Sequence, residues 1–167
     1  MYAEADIYIL SWDKRDVKHK DPETGLETET ELATWAEEIF HGIPTEAQMR
    51  EVVNRYYNQV TDRRILEGFR WNGVPVWLST ENQFNYKATH DLAVQTGGAT
   101  LPVTFKLGTD EEPSYVTFNT VDEISAFYTA ALAYIQECYT DGWKQKDAFD
   151  AQQAAGMIVQ LKKEGGV

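Results

Sequence analysis

The sequence predicts an α+β fold in which small antiparallel hairpins pack against several helices. Three observations lead there. Short runs of β-branched and aromatic residues come in pairs joined by turn residues, as in Phe69–Trp71 and Val74–Trp77 around Asn72-Gly73. Each such pair precedes a longer stretch whose apolar residues recur at helical spacing. Two stretches, Thr45-x-x-Gln48 and Thr120-x-x-Glu123, have the pattern of capping boxes at helix starts. The expected order is β-α-α-ββ-α-ββ-α, with the helix over 121–149 lying across the sheet.

Taken in order, Asp6–Trp12 reads as a strand. Asp13–Glu31 is polar. Its Asp21-Pro22-Glu23-Thr24-Gly25 is a turn signal, because Pro22 presets φ and Gly25 tolerates a positive one. The flanks at 17–20 and 26–29 form either an exposed hairpin or a loop. Basic Lys18 and Lys20 facing acidic Glu27 and Glu29 favour the hairpin. Glu31–Phe40 is read as a short helix, with Leu32, Trp35, Ile39 and Phe40 on one face. A second helix runs from Thr45 to about Leu66 and stops at Gly68, with Met49, Val52, Val53, Tyr56, Tyr57 and Val60 as its stripe.

The Asn72-Gly73 pair suits a type I′ turn, since both central residues need positive φ. Pro75 lacks an N–H and so belongs on an edge. Ser79 or Thr80 starts a helix that Gly97-Gly98 ends. Leu101–Leu107 and Ser114–Asn119 form a second hairpin. Val121 opens the longest helix, to Trp143 or Phe149, with a break or bend at Gly142. Ala151–Lys163 is read as a helical tail. The expected organisation is an N-terminal segment at 1–44, an α+β domain at 45–150 and a C-terminal helical tail at 151–167.

In the longest helix Val121, Ile124, Tyr128, Ala131, Ile135 and Cys138 alternate steps of three and four, which is heptad spacing. Phe127, Leu132, Tyr134 and Tyr139 widen the apolar surface beyond a two-position seam. A wide face is what a helix turned to its own core presents, so internal packing is the first reading and pairing between chains the second.

The 167 residues carry a formal net charge of −12. That excess argues against nucleic-acid phosphate and anionic membrane as partners, because both need a basic face. No run approaches the ~18 apolar residues of a membrane helix. The start, with Glu4 and Asp6 and no basic cluster, leads to no expectation of a secretory leader. The single cysteine, Cys138, sits among Ile135, Tyr139 and Ala131 and reads as a buried small residue.

Nothing in the pattern assembles an active site, and the expectation is a non-enzyme with no cofactor and no metal. His19, His41 and His90 lie in different elements without metal-helix spacing. Asp110-Glu111-Glu112 are adjacent in a turn, unlike a glycosidase pair across a cleft, and lack the alternating ligands of a calcium loop. No phosphate loop or nucleophile elbow is present. The aromatics around the Asn-Gly hairpin draw attention instead, because exposed tryptophans anchor protein interfaces or stack on sugar rings. Trp71, Trp77, Tyr86, Trp12 and Trp35 are the candidate contact residues.

Arg64-Ile65-Leu66-Glu67-Gly68-Phe69, Trp71-Asn72-Gly73 and Trp77-Leu78-Ser79-Thr80-Glu81-Asn82-Gln83 occur in this order. Leu101-Pro102-Val103-Thr104-Phe105, Tyr115-Val116-Thr117-Phe118 and Gly142-Trp143-Lys144-Gln145-Lys146-Asp147 follow. Together they resemble the uncharacterised C-terminal domain of phage and prophage tail-associated proteins, over roughly Thr61–Phe149. Phe105 stands where that domain usually has tryptophan, and Thr109-Asp110-Glu111 where an aspartate-asparagine pair often follows. The resemblance carries no catalytic residues. It implies a virion component of tail, baseplate or fibre, or a tail-fibre assembly factor, that touches other virion or assembly proteins and self-associates into a homo-oligomer or acts alone. The location implied is the virion, or the host cytoplasm during assembly. A host-glycan or small-ligand binding module and an enzyme are the alternatives.

Overall fold

The computed structural model describes residues 6–20, 27–155 and 158–161. The fold is α+β, and its elements follow the order β1 (Ile7–Lys20), β2 (Glu27–His41), α1 (Glu46–Gly68), β3 (Arg70–Trp71), β4 (Val74–Pro75), α2 (Thr80–Gln95), β5 (Val103–Gly108), β6 (Pro113–Phe118), α3 (Val121–Asp147), α4 (Ala151–Ala155) and β7 (Val159–Leu161). Among the described residues no helix is long and apolar enough to cross a membrane. The chain forms two compact units, one of Met1–Tyr57 with Lys146–Val167, the other of Asn58–Gln145.

The first unit is a three-stranded sheet, ordered β2-β1-β7 and antiparallel throughout. The polar stretch after Asp13 is a hairpin, with Lys18 opposite Thr30 and Lys20 opposite Glu27. The turn expected at Asp21–Gly25 lies outside the described residues. The helix expected at Glu31–Phe40 is a strand. Tyr8 faces Phe40, Leu10 faces Glu38 and Trp12 faces Ala36. Residues directly opposed share a sheet face, and here that face holds the buried Leu10, Trp12 and Ala36. Ile39, which helical spacing put in the apolar stripe, is exposed. A long antiparallel partner supplies a pair of hydrogen bonds at every second residue, and that tertiary pairing overrides a local helical pattern of ten residues. The C-terminal tail is also corrected. Its helix ends at Ala155, and Val159–Leu161 lie opposite Ile9, Tyr8 and Ile7 on the free edge of β1. Met49, Val52, Val53 and Tyr57 of α1 and Ala151 and Ala154 of α4 cover this sheet.

Helix α1 starts as its sequence directs. Thr45 N–H donates to Gln48 Oε1 at 2.9 Å, and Gln48 N–H donates to Thr45 Oγ1 at 3.3 Å. The reciprocal pair satisfies two donors that a helix start leaves free.

The second unit gathers Ile65, Phe69, Val76, Leu78, Tyr86, Ala93, Leu107, Phe118, Ile124, Phe127, Ala131 and Cys138 in one core. Asn72 at φ 50° and Gly73 at φ 83° make the expected turn of the first hairpin. Ser79 caps α2, accepting from Asn82 N–H at 3.2 Å. Glu123 N–H donates to Thr120 Oγ1 at 3.2 Å to cap α3, while the Glu123 carboxylate accepts from Asn119 N–H at 2.7 Å. The internal packing expected for α3 holds, with Ile124, Phe127, Ala131 and Cys138 buried. Leu132 and Tyr139, read as part of that inner face, are exposed instead. Gly142 does not break the helix. It is buried, and the helix runs through it to Asp147.

Tyr134 donates to the Arg64 carbonyl at 2.8 Å. Burial first, then the Cys138 thiol, pushes its phenol from the ordinary 10.0 up to about 12, with Arg64 opposing. The folded chain therefore keeps a proton that the unfolded chain releases near pH 10. This contribution to stability is full below about pH 10 and is lost as pH rises towards about 12. Urea titrations on either side of that window are expected to show a falling midpoint, with a smaller fall in Tyr134→Phe.

Candidate functional site

In the second unit, a groove of about 600 Å³ is lined by the end of α1, the first hairpin, the start of α2 and the β5–β6 turn. Its exposed aromatic is Trp77. The segment Val76–Leu78 is extended, so alternate side chains face opposite ways. Val76 and Leu78 are buried, while Trp77 is 50 % exposed. Four hydrogen bonds hold this segment. Val76 N–H donates to Phe69 O at 2.9 Å and Leu78 N–H to Leu66 O at 3.1 Å. From α2, Asn82 Nδ2 donates to Trp77 O at 2.8 Å and Gln83 Nε2 to Leu78 O at 2.7 Å. The indole is thus displayed from a fixed backbone. Around it, Arg70 donates to Gly73 O at 2.9 Å, and Lys106 lies 3.6 Å from Asp110. With Glu67, the groove carries two cations and two anions. An aromatic wall with such mixed polar groups suits a peptide surface or a hydroxyl-rich ligand.

A second polar constellation joins α2 to α3. His90 Nδ1 is 3.2 Å from Asp91 Oδ1, and Nε2 is 3.2 Å from Ser125 Oγ. The imidazole stacks on Tyr128 at a centroid distance of 4.6 Å. A hydroxyl, an imidazole and a carboxylate in a row are the elements of a nucleophilic triad. Such a triad also needs donors aimed at a developing oxyanion. The N–H groups of Asn119, Glu123 and Ile124, at the start of the same helix, are already engaged in its cap and first turn. Asp91 is shared with Lys87, whose hydrogen bond, followed by that of His90, holds the carboxyl below its ordinary range. The arrangement does the work of a tie between two helices. Nothing in the sequence signalled that His90 would meet Ser125, 35 residues on.

Of the residues singled out from sequence, Trp71 and Tyr86 both meet Phe127 in the second unit. Trp77 lies in the groove. Trp71 packs edge-on against Phe127 at 5.4 Å. Tyr86 is buried in the same core and lines the cleft between α2 and α3. Trp12 is buried in the first unit, edge-on to Tyr56 at 5.6 Å. Trp35 lies in β2 and not in a helix, and its side chain lies outside the described residues. Sequence reasoning missed Phe84, Leu132, Tyr139 and Trp143 as surface residues, all of them exposed. Helical spacing made Leu132 and Tyr139 look like core. Among the described residues no group of three or more His, Cys, Asp or Glu is placed to hold a metal ion.

Residues 48–160 match the family described as Domain of unknown function (DUF4376). Neither the curated proteins nor the solved structures gave a match.

Proposed function

We propose that this chain, which belongs to the DUF4376 family, is a bacteriophage tail, baseplate or fibre component, or a tail-fibre assembly factor. It works through protein–protein contacts rather than catalysis, in the virion or in the host cytoplasm during assembly. The resemblance of residues 61–149 to the tail-associated domain supports the setting. The contact role rests on Trp77, an indole half-exposed on a backbone held by four hydrogen bonds. Tryptophan and arginine dominate the energetic centres of protein interfaces, and a rigid display lowers the entropy lost on binding. Arg70 lies in the same groove.

Mass spectrometry of purified particles and of infected-cell lysate tests the reading. The chain is expected either in particles or in complexes with tail proteins. Trp77→Ala is expected to leave the melting temperature nearly unchanged and to lower incorporation about tenfold or more, the effect of ~1.4 kcal/mol. Absence of the chain from both particles and tail-protein complexes overturns it. A second reading, a glycan or small-ligand module, draws on the same groove, where Asn82 and Asp110 flank the indole. Trp71 is half-buried against Phe127 and does not line the groove, so the groove offers one tryptophan rather than two. Fluorescence quenching by candidate sugars in the native chain but not in Trp77→Phe would favour that reading.

A further inference from the structure

The second unit carries an apolar face that shares no lining residue with the Trp77 groove. Phe84 is 69 % exposed, Leu132 46 %, Tyr139 41 % and Trp143 51 %. Phe84 and Leu132, with Tyr128 and Ile135, line a cleft of about 300 Å³ between α2 and α3. Tyr139 and Trp143 continue the row along α3 and stack on each other at 6.2 Å. Scattered exposed hydrophobics need no explanation, but a contiguous row does.

We propose that this face binds a second copy of the chain, with the two α3 helices antiparallel about a two-fold axis near Ile135. Three features name that occupant. Tyr128, Leu132, Ile135, Tyr139 and Trp143 are spaced by four, three, four and four, the near-heptad repeat by which one helix meets another. The row adjoins Ile124, Ala131 and Cys138, which the core of the same chain already holds, and its Tyr128 and Ile135 are partly buried against that core while Leu132, Tyr139 and Trp143 are exposed.

The row is also self-complementary. A two-fold interface brings one patch against itself in reverse. Reversal about a point between Ile135 and Gln136 sets Leu132 against the partner's Tyr139 and Tyr128 against the partner's Trp143, a branched aliphatic or an aromatic meeting an aromatic each time. The row extends about 22 Å at 1.5 Å per residue.

The charges agree. In a chain of net charge −12, Ile124–Gln136 contains no charged residue. Depletion of charge around an aromatic centre marks interface cores. Asp122 and Glu123 begin the helix, while its end carries Lys144 and Lys146 together with Asp141 and Asp147. Antiparallel pairing brings the acidic start of each helix towards the lysines of the other, although Lys144 also lies 3.8 Å from its own Asp141. Parallel pairing would set acid on acid.

One helix face falls below the roughly 1,200 Å² of a standard interface, so a dimer of about micromolar strength is expected. Sedimentation velocity of the full chain between about 1 and 200 µM reads it. The native chain is expected to shift from monomer to dimer. Leu132→Glu and Tyr139→Lys, both at exposed positions, are expected to stay monomeric with unchanged circular dichroism and melting. Mixing the two variants sets a glutamate against the partner's lysine, so a dimer should reappear. A native chain that stays monomeric, or a dimer that survives both substitutions, overturns the proposal. Failure of the mixture to dimerise overturns the antiparallel arrangement. None of these results depends on phage particles or on Trp77, so they separate this interface from the proposed function.

Discussion

Phe127→Ala is expected to lower the folding free energy of the second unit by about 3–5 kcal/mol, the usual cost of deleting a buried phenyl ring. Phe127 is fully buried in α3, and five aromatic rings surround it. Phe69 lies at 6.2 Å, Trp71 at 5.4 Å, Tyr86 at 5.1 Å, Phe105 at 5.7 Å and Phe118 at 5.2 Å, between centroids. These rings come from both hairpins, from α2 and from the segment after α1. Loss of the central ring leaves a void that cannot close without moving several elements at once. A domain of ordinary stability has only about 5–15 kcal/mol to lose. Phe127→Leu retains most of the volume and is expected to cost about 1–2 kcal/mol. Urea unfolding, followed by near-ultraviolet circular dichroism, measures both. A loss below about 1 kcal/mol for the alanine variant would show that the rings are not packed around Phe127 as described.

The second large effect is expected at Gly142. In an isolated helix glycine is worse than alanine by about 1 kcal/mol, so Gly142→Ala would stabilise if the helix stood alone. Here a Cβ would sit 2.3 Å from Thr61 Oγ1 and 3.5 Å from Thr61 Cβ. Thr61 is buried on α1, so its short branched side chain has little room to yield. Overpacking of this kind costs about 2–3 kcal/mol, and the sign of the propensity effect reverses. Thr61→Ala removes the clashing oxygen and leaves only the ordinary contact at Cβ. The double variant is therefore expected to recover at least about 1 kcal/mol relative to additivity. A Gly142→Ala variant that is more stable than the native chain would refute the close approach of the two helices.

Much of the second unit could be read directly from the sequence, because its signals are local. Asn72-Gly73 dictates a turn through the φ values it alone tolerates cheaply, and both residues adopt them. Thr45, Ser79 and Thr120 announce helix starts through side-chain oxygens that reach N–H groups two or three residues on. The helices that follow begin within a residue of those positions.

The first unit was harder. Leu32, Trp35, Ile39 and Phe40 fit a helix, but Thr28, Thr30, Leu32, Thr34 and Ala36 also alternate with period two. Both patterns coexist in one segment, and the available partner decides between them. β1 supplies that partner along the whole length of β2. Likewise Val159–Leu161 become a strand because the other edge of β1 is open, at a place about 150 residues earlier in the chain.

The candidate contact surfaces divide in the same way. The sequence determined which residues are aromatic and where helices and turns begin, since these depend on a residue and its near neighbours. It did not distinguish Trp77 from Trp71, Tyr86 and Trp12, nor the buried row Ile124–Ala131–Cys138 from the exposed row Leu132–Tyr139–Trp143. Both rows share one helix, and both recur at steps that return to one helix face. Only the tertiary structure chose between them, because burial depends on which side of α3 the rest of the core occupies, and that is set by contacts between residues far apart in the chain.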